Sequence, residues 1–278
     1  MTKADLTESD INTYTIDQLN DLTKTDMTRV NQVIVDHLAS PVVLINQLSQ
    51  HIIHSGGKRL RPMLVVLSAK ACDYQGDQDA LLAAVVEFIH TATLLHDDVV
   101  DDSDLRRGQE TASSIWGNEA AVLVGDYLYS RAFQMMVKAQ SMRMMDLLAN
   151  ATNTIAQGEV LQLLNINDAN TNEERYLEVI YGKTACLFEA ATQIGAILSS
   201  SDEQTEQALK SYGKHLGMAF QLIDDALDYT ANPNELGKNV GDDLAEGKPT
   251  LPLIYAMQQG DDTQQALIRH AIENGGLN

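Results

Sequence analysis

Two short runs of aspartate carry the first hint of chemistry: Asp97-Asp98-Val99-Val100-Asp101 and Asp224-Asp225-Ala226-Leu227-Asp228. In each, the first and last carboxylates are four residues apart, so on a helix they project from one face about 5–6 Å from each other. That gap suits a shared cation. Mg²⁺ is commonly held by one or two carboxylates together with substrate phosphate oxygens, so two such faces across a cavity would hold several ions and a diphosphate between them. Acidic runs usually mark solvated helix faces. Here both runs follow apolar sequence, Thr93-Leu94-Leu95 and Ala219-Phe220-Gln221-Leu222-Ile223. Mutually repelling carboxylates are costly in such surroundings without a compensating cation. A calcium EF-hand does not explain the first run, because counting from Asp97 puts Asp102 at the glycine position and Gly108 at the bidentate glutamate position.

Basic clusters accompany the acidic ones. Gly56-Gly57-Lys58-Arg59-Leu60-Arg61-Pro62 sets three positive charges behind two glycines, letting backbone and side chains approach a phosphate together. Arg106-Arg107-Gly108 places two guanidinium forks just after the first acidic run. Neither Gly57-Lys58 nor Gly182-Lys183-Thr184 is a Walker A loop, since Ile52 and Leu177 stand where the first glycine is required. The combination predicts metal-assisted chemistry on a diphosphate rather than nucleotide hydrolysis.

These motifs resemble those of the trans-isoprenyl diphosphate synthases, and their wording is closest to the octaprenyl diphosphate synthases of quinone side-chain synthesis. The resemblance spans about residues 30–256. Besides the clusters above it rests on Glu87-Phe88-Ile89-His90, Lys183-Thr184, Gln221-Leu222-Ile223-Asp224-Asp225, Gly237-Lys238-Asn239-Val240-Gly241-Asp242-Asp243 and Gly247-Lys248-Pro249-Thr250. It implies a transferase that repeatedly joins isopentenyl diphosphate to an allylic diphosphate such as farnesyl diphosphate, giving an octaprenyl chain for ubiquinone or menaquinone.

The resemblance also assigns roles. Lys58, Arg61, His90 and Arg107 would bind isopentenyl diphosphate, and Arg106, Lys183, Thr184, Gln221, Lys238 and Lys248 would hold the allylic diphosphate. Asp97, Asp101 and Asp224 would ligate Mg²⁺, three ions in all, with Asp98, Asp225 and Asp228 as further ligands or partners of metal-bound water. Residues before the first acidic run would set product length. Small Ala92 and Thr93, with Ile89 a turn earlier, leave room for a long tail, and Met135 is a candidate floor. A terpene cyclase of the same metal chemistry takes no second prenyl diphosphate and has no need of the Lys58–Arg61 cluster. A regulatory subunit of this fold would have lost an aspartate pair or the arginine pair, and this chain keeps both.

The elements that must position these residues read as helices. From Val30 onward apolar residues fall at helical spacing, and the stretch from Ala80 to Val100 is apolar nearly all round, as suits a central helix. Further helices are predicted over about 120–139, 142–164, 172–198, 203–229 and 251–257, and strand-like alternation is scarce. The fold expected is all-α, a single-domain helical bundle with a central cavity of the isoprenoid synthase type. Residues 1–26, polar and weakly periodic, read as a loosely attached N-terminal arm or a short helix rather than core, and 27–278 as the helical domain.

Of 278 residues, 44% are hydrophobic, enough for a full core, and the formal net charge of -20 argues against a nucleic-acid surface. Cys72 and Cys186 have no metal or disulfide spacing and read as reduced core thiols. Without a leader-like start or a run of 18 apolar residues, no transmembrane segment is expected, and the location expected is the cytoplasm. The resemblance further implies a homodimer, and helices beyond Asn274-Gly275-Gly276-Leu277-Asn278, where this sequence stops.

Overall fold

A computed structural model describes residues 15–54, 57–106, 108–230 and 241–274. The chain enters α1 (Ile16–Leu38) through a capping box: the Thr15 hydroxyl accepts from the Gln18 amide while the Gln18 side chain accepts from the Thr15 amide. The helix runs unbroken across residue 26, where an arm was expected to give way to the domain. Thr23 is buried, and Asp26 pairs with Lys70 at 2.8 Å and with Arg29 at 2.9 Å. Residues 1–14 of the expected arm lie outside the described residues.

After α1 come α2 (Val43–His54), α3 (Leu60–Ala71) and α4 (Gln78–Val100). A two-residue hairpin, β1 (Leu105–Arg106) against β2 (Gln109–Glu110), is the one sheet among the described residues, and Gly108 supplies the positive φ its turn requires. The short α5 (Ala112–Trp116) leads to α6 (Asn118–Lys138), α7 (Met142–Asn165) and α8 (Glu173–Ile180). Ser141 and Asn172 cap α7 and α8 through their side chains.

α8 passes without a break into a π-helical turn, Tyr181–Ala185, and then into α9 (Cys186–Leu198), so what the sequence suggested as one helix over 172–198 changes its winding midway. The long α10 (Glu203–Thr230), the single turn α11 (Asp242–Ala245), α12 (Leu251–Gln259) and α13 (Asp262–Asn274) complete the described chain, the last unanticipated.

α4 is the axis of the bundle, packed by α1, α3, α5, α6 and α9. Its residues Leu82 to Val86, with Phe88, Ile89, Ala92 and Leu95, lie in the core. By length and composition it is the one described helix apolar enough to cross a membrane; here 61% of its most apolar window is buried inside the protein. Cys186 is buried and Cys72 half-buried, both as free thiols.

Candidate active site

One face of α4, Glu87, His90, Thr91, Leu94, Asp97 and Asp101, forms a wall of a cavity of about 880 Å³. This is the 3–4 residue rhythm of a helix presenting one side to a cleft. Opposite stand Glu159 and Gln162 of α7, Lys183 and Thr184 of the π turn, and Phe220, Gln221, Asp224 and Asp225 of α10, with Asp242, Asp243, Glu246 and Lys248 from the segment beyond. Apolar side chains, among them Ile34, Leu38, Leu128 and Phe188, close the remainder.

The first acidic run is met by cations. Lys248 Nζ donates to Asp101 Oδ1 at 2.9 Å and to Glu246 Oε2 at 2.6 Å, and Lys183 Nζ stands 3.5 Å from Asp97 Oδ2. Arg106 Nε, brought round by the hairpin, donates to Asp98 Oδ1 at 2.6 Å. Asp98 is off the cavity wall, and burial pushes its carboxyl above the usual range even against Arg106. Burial lowers Lys248 and Lys183, but neighbouring carboxylates, Asp101 and Asp97 foremost, outweigh it and leave both above the ordinary lysine value.

The second run divides. Asp224 is exposed on the cavity wall, whereas Asp225 accepts from Tyr176 Oη at 2.6 Å and from Gln221 Nε2 at 2.7 Å. Asp228 is wholly buried and accepts from the Asp243 amide at 3.3 Å, so it does not share Asp224's open face. Thr184 joins this network by donating to Gln221 Oε1 at 2.8 Å.

Among the described residues no three acidic, histidine or cysteine side chains converge closely enough to hold a metal by themselves. The donor set still fits Mg²⁺. Asp97, Asp101 and Asp224 all line the same cavity, and each offers hard oxygens that substrate phosphates would complete. The basic cluster is assembled too: Lys58 lines the cavity, Arg61 Nη1 lies 3.2 Å from His90 Nε2, and the Arg61 guanidinium sits 4.4 Å over the Phe188 ring. Arg107 and Lys238 lie outside the described residues.

Of the expected chain-length residues, Thr93 lines the cavity, while Ala92, Ile89 and Met135 are fully buried in the core behind the wall. Reasoning from the sequence missed Glu159, Gln162 and Tyr176. The signal available for Glu159 was a carboxylate between Gly158 and the apolar pair Val160-Leu161; nothing local pointed to Tyr176.

A helical bundle with a cavity that joins facing carboxylates to lysine, arginine and apolar side chains is the architecture of a prenyltransferase with the isoprenoid synthase fold. The chain belongs to the polyprenyl synthetase family, whose model matches residues 42–277. It is 55% identical to the octaprenyl diphosphate synthase of Escherichia coli (strain K12), over 94% of this chain and 80% of that protein. It is 48% identical to the all-trans-nonaprenyl-diphosphate synthase (geranyl-diphosphate specific) of Rhodobacter capsulatus, over 90% of this chain and 77% of that one. The crystal structure of a decaprenyl diphosphate synthase from Rhodobacter capsulatus superimposes with a TM-score of 0.89 at 48% identity, covering 94% of this chain and 81% of that chain. A polyprenyl synthase from Caulobacter crescentus CB15, complexed with calcium and isoprenyl diphosphate, gives 0.86 at 46% identity over 93% and 84% of the two chains.

Proposed function

We propose that this protein is a trans-polyprenyl diphosphate synthase that repeatedly condenses isopentenyl diphosphate with an allylic diphosphate such as farnesyl diphosphate, ending at octaprenyl diphosphate for a quinone side chain. The observation that carries the reading is the single cavity shared by Lys58, Arg61 and His90, by Lys183 and Lys248, and by Asp97, Asp101 and Asp224. Two anionic substrates need two cationic receptors, and one apolar floor receives their tails.

In this reading Lys183 and Lys248, with Thr184 and Gln221, hold the allylic diphosphate, joined by Lys238 and Arg106. Lys58, Arg61 and His90, with Arg107, hold isopentenyl diphosphate. Asp97, Asp101 and Asp224 would hold Mg²⁺, three ions in number, and the metal when bound would supply positive charge to offset the negative charge developing on the departing diphosphate. Asp98 acts through Arg106, Asp225 holds Gln221 and Tyr176 at the cavity wall, and Asp228 braces the second patch from behind. As the allylic C–O bond breaks, its electron pair leaves with pyrophosphate, the double bond of isopentenyl diphosphate forms the new C–C bond to the allylic cation, and the proton lost from the resulting cation goes to the released pyrophosphate. Leu94, Leu128 and Phe188 keep water from trapping the cation as an alcohol.

The tail of a growing product would leave the cavity past Leu128 between α4 and α6, alongside Ala92 and Ile89 towards Met135. Ala92→Phe fills that path and should stop the product near farnesyl or geranylgeranyl length; an unchanged product would refute the path. We place the enzyme in the cytoplasm, without a transmembrane segment, as a homodimer. On α6, Leu123, Phe133 and Val137 expose one apolar stripe, and Val160, Leu163 and Leu164 expose another at the end of α7, which suits pairing with a second copy.

The decisive experiment incubates the protein with farnesyl diphosphate, labelled isopentenyl diphosphate and Mg²⁺, and resolves the dephosphorylated products by length. A ladder ending at the octaprenyl alcohol is expected. A ladder ending elsewhere corrects the product, and no condensation at all refutes the reading.

A further inference from the structure

Glu159 belongs to none of the motifs that suggested the site, yet it stands on the cavity wall. Its Oε2 accepts from Lys183 Nζ at 2.9 Å, and Gln162 Oε1, one turn further along α7, accepts from the same ammonium at 2.7 Å. Asp97 Oδ2 draws on that ammonium from α4, 3.5 Å away. The placement is built into the backbone. α7 and the π turn touch at two glycines: a Cβ on Gly158 would come within 2.5 Å of the Lys183 amide nitrogen, and one on Gly182 within 2.9 Å of the Gly158 Cα.

A lysine is a compact charge on a flexible four-carbon stem and goes wherever the nearest carboxylates pull it. Left to α4 alone, Lys183 would settle against the aspartates there. A carboxylate at 159 is also an expensive choice for fold alone, since burial raises it so far that even beside Lys183 it stays at about 7.

We propose that Glu159 is a positioning residue for prenyl transfer: with Gln162 it fixes the Lys183 ammonium at the cavity wall, where it meets a substrate diphosphate instead of collapsing onto Asp97. The inference rests on the proposed function, because it takes Lys183 as a donor to a diphosphate.

Titration calorimetry with inorganic pyrophosphate and Mg²⁺ reads that contact without turnover. Glu159→Ala is expected to weaken pyrophosphate about tenfold. Glu159→Gln, which keeps an oxygen acceptor, recovers most of the loss. The double variant Glu159→Ala, Lys183→Met should bind no more weakly than Lys183→Met alone, as a residue acting through Lys183 requires. In steady state, the KM for the allylic diphosphate should rise while that for isopentenyl diphosphate stays within about twofold.

Pyrophosphate binding unchanged in Glu159→Ala overturns the inference, as do additive losses in the double variant or equal rises in both KM values. If Glu159→Ala fails to unfold cooperatively, Glu159→Gln in the wild-type and Lys183→Met backgrounds carries the same comparison. A wild-type protein that binds pyrophosphate but never condenses isopentenyl diphosphate refutes the proposed function, while the calorimetric cycle still decides the inference.

Discussion

Asp97 and Asp98 are adjacent in sequence and opposite in circumstance, and the reason is helical phase. A step of one residue turns a helix by about 100°, so Asp97 reaches the cavity while Asp98 turns into the body of the protein to meet Arg106. The aspartate runs were therefore legible as a site, but not the duties of their members. Asp228 shows the limit most clearly. Its spacing from Asp224 suggested a shared face, yet the Asp243 amide covers it, and no local spacing announces a segment that returns from so far along the chain.

Glu159 yields a test of pH dependence at this same scale. Its folded value of about 7 lies above its ordinary 4.5, so between those pH values the folded chain keeps a proton that the unfolded chain has lost. Its contribution to stability therefore falls as pH rises through that window. The difference in Tm between Glu159→Gln and wild type should move in favour of the variant from acid to neutral pH and then level off. A difference that stays constant across the range would count against a buried, proton-holding carboxylate.

At the scale of elements, the apolar rhythm of α4, α6, α7 and α10 made the helices readable to within a few residues, because each buries a stripe against a neighbour. The start of α1 was read as an arm or a short helix outside the core, and the structure makes it the first turns of a longer helix. Its polar composition hid a Thr-x-x-Gln capping signature and a buried line of Thr23, Val30 and Ile34. The π turn was not legible at all, since an altered hydrogen-bond ladder leaves no mark on residue type. Its contact with α7 can be broken with one methyl group. Gly158→Ala would drive a Cβ into the backbone at Lys183, costing about 1–3 kcal/mol and displacing that lysine. Thermal melting together with the KM for the allylic substrate checks this; a variant with native stability and native KM would show the contact to be slack.

For the molecule as a whole, exposed apolar surface is the feature with the plainest consequence. The stripe of Leu123, Phe133 and Val137 on α6 lies in a chain whose acidic excess otherwise favours separation of copies. If the proposed dimer forms through this face, Val137→Glu combined with Leu123→Glu should convert it to a monomer in sedimentation, leaving helix content unchanged by circular dichroism. A wild-type monomer, or a dimer retained in the variant, would refute that contact. The stripe was not read from the sequence, because exposed and buried apolar residues look alike until the helix has neighbours.

The rod formed by α8, the π turn and α9 behaves like a shaft with one tooth added to its gear. The wider π winding sets the helix before it out of step with the helix after it. With that offset Tyr176 reaches Asp225 from one end, Lys183 reaches the cavity from the middle, and Phe188 lies under Arg61 from the other. Winding the same residues as an even α-helix would turn one half of the shaft by up to about 100° against the other, and no rotamer change could then recover all three contacts together. Deleting one residue within 181–185 is the change that would let an even pitch return with both ends still in phase.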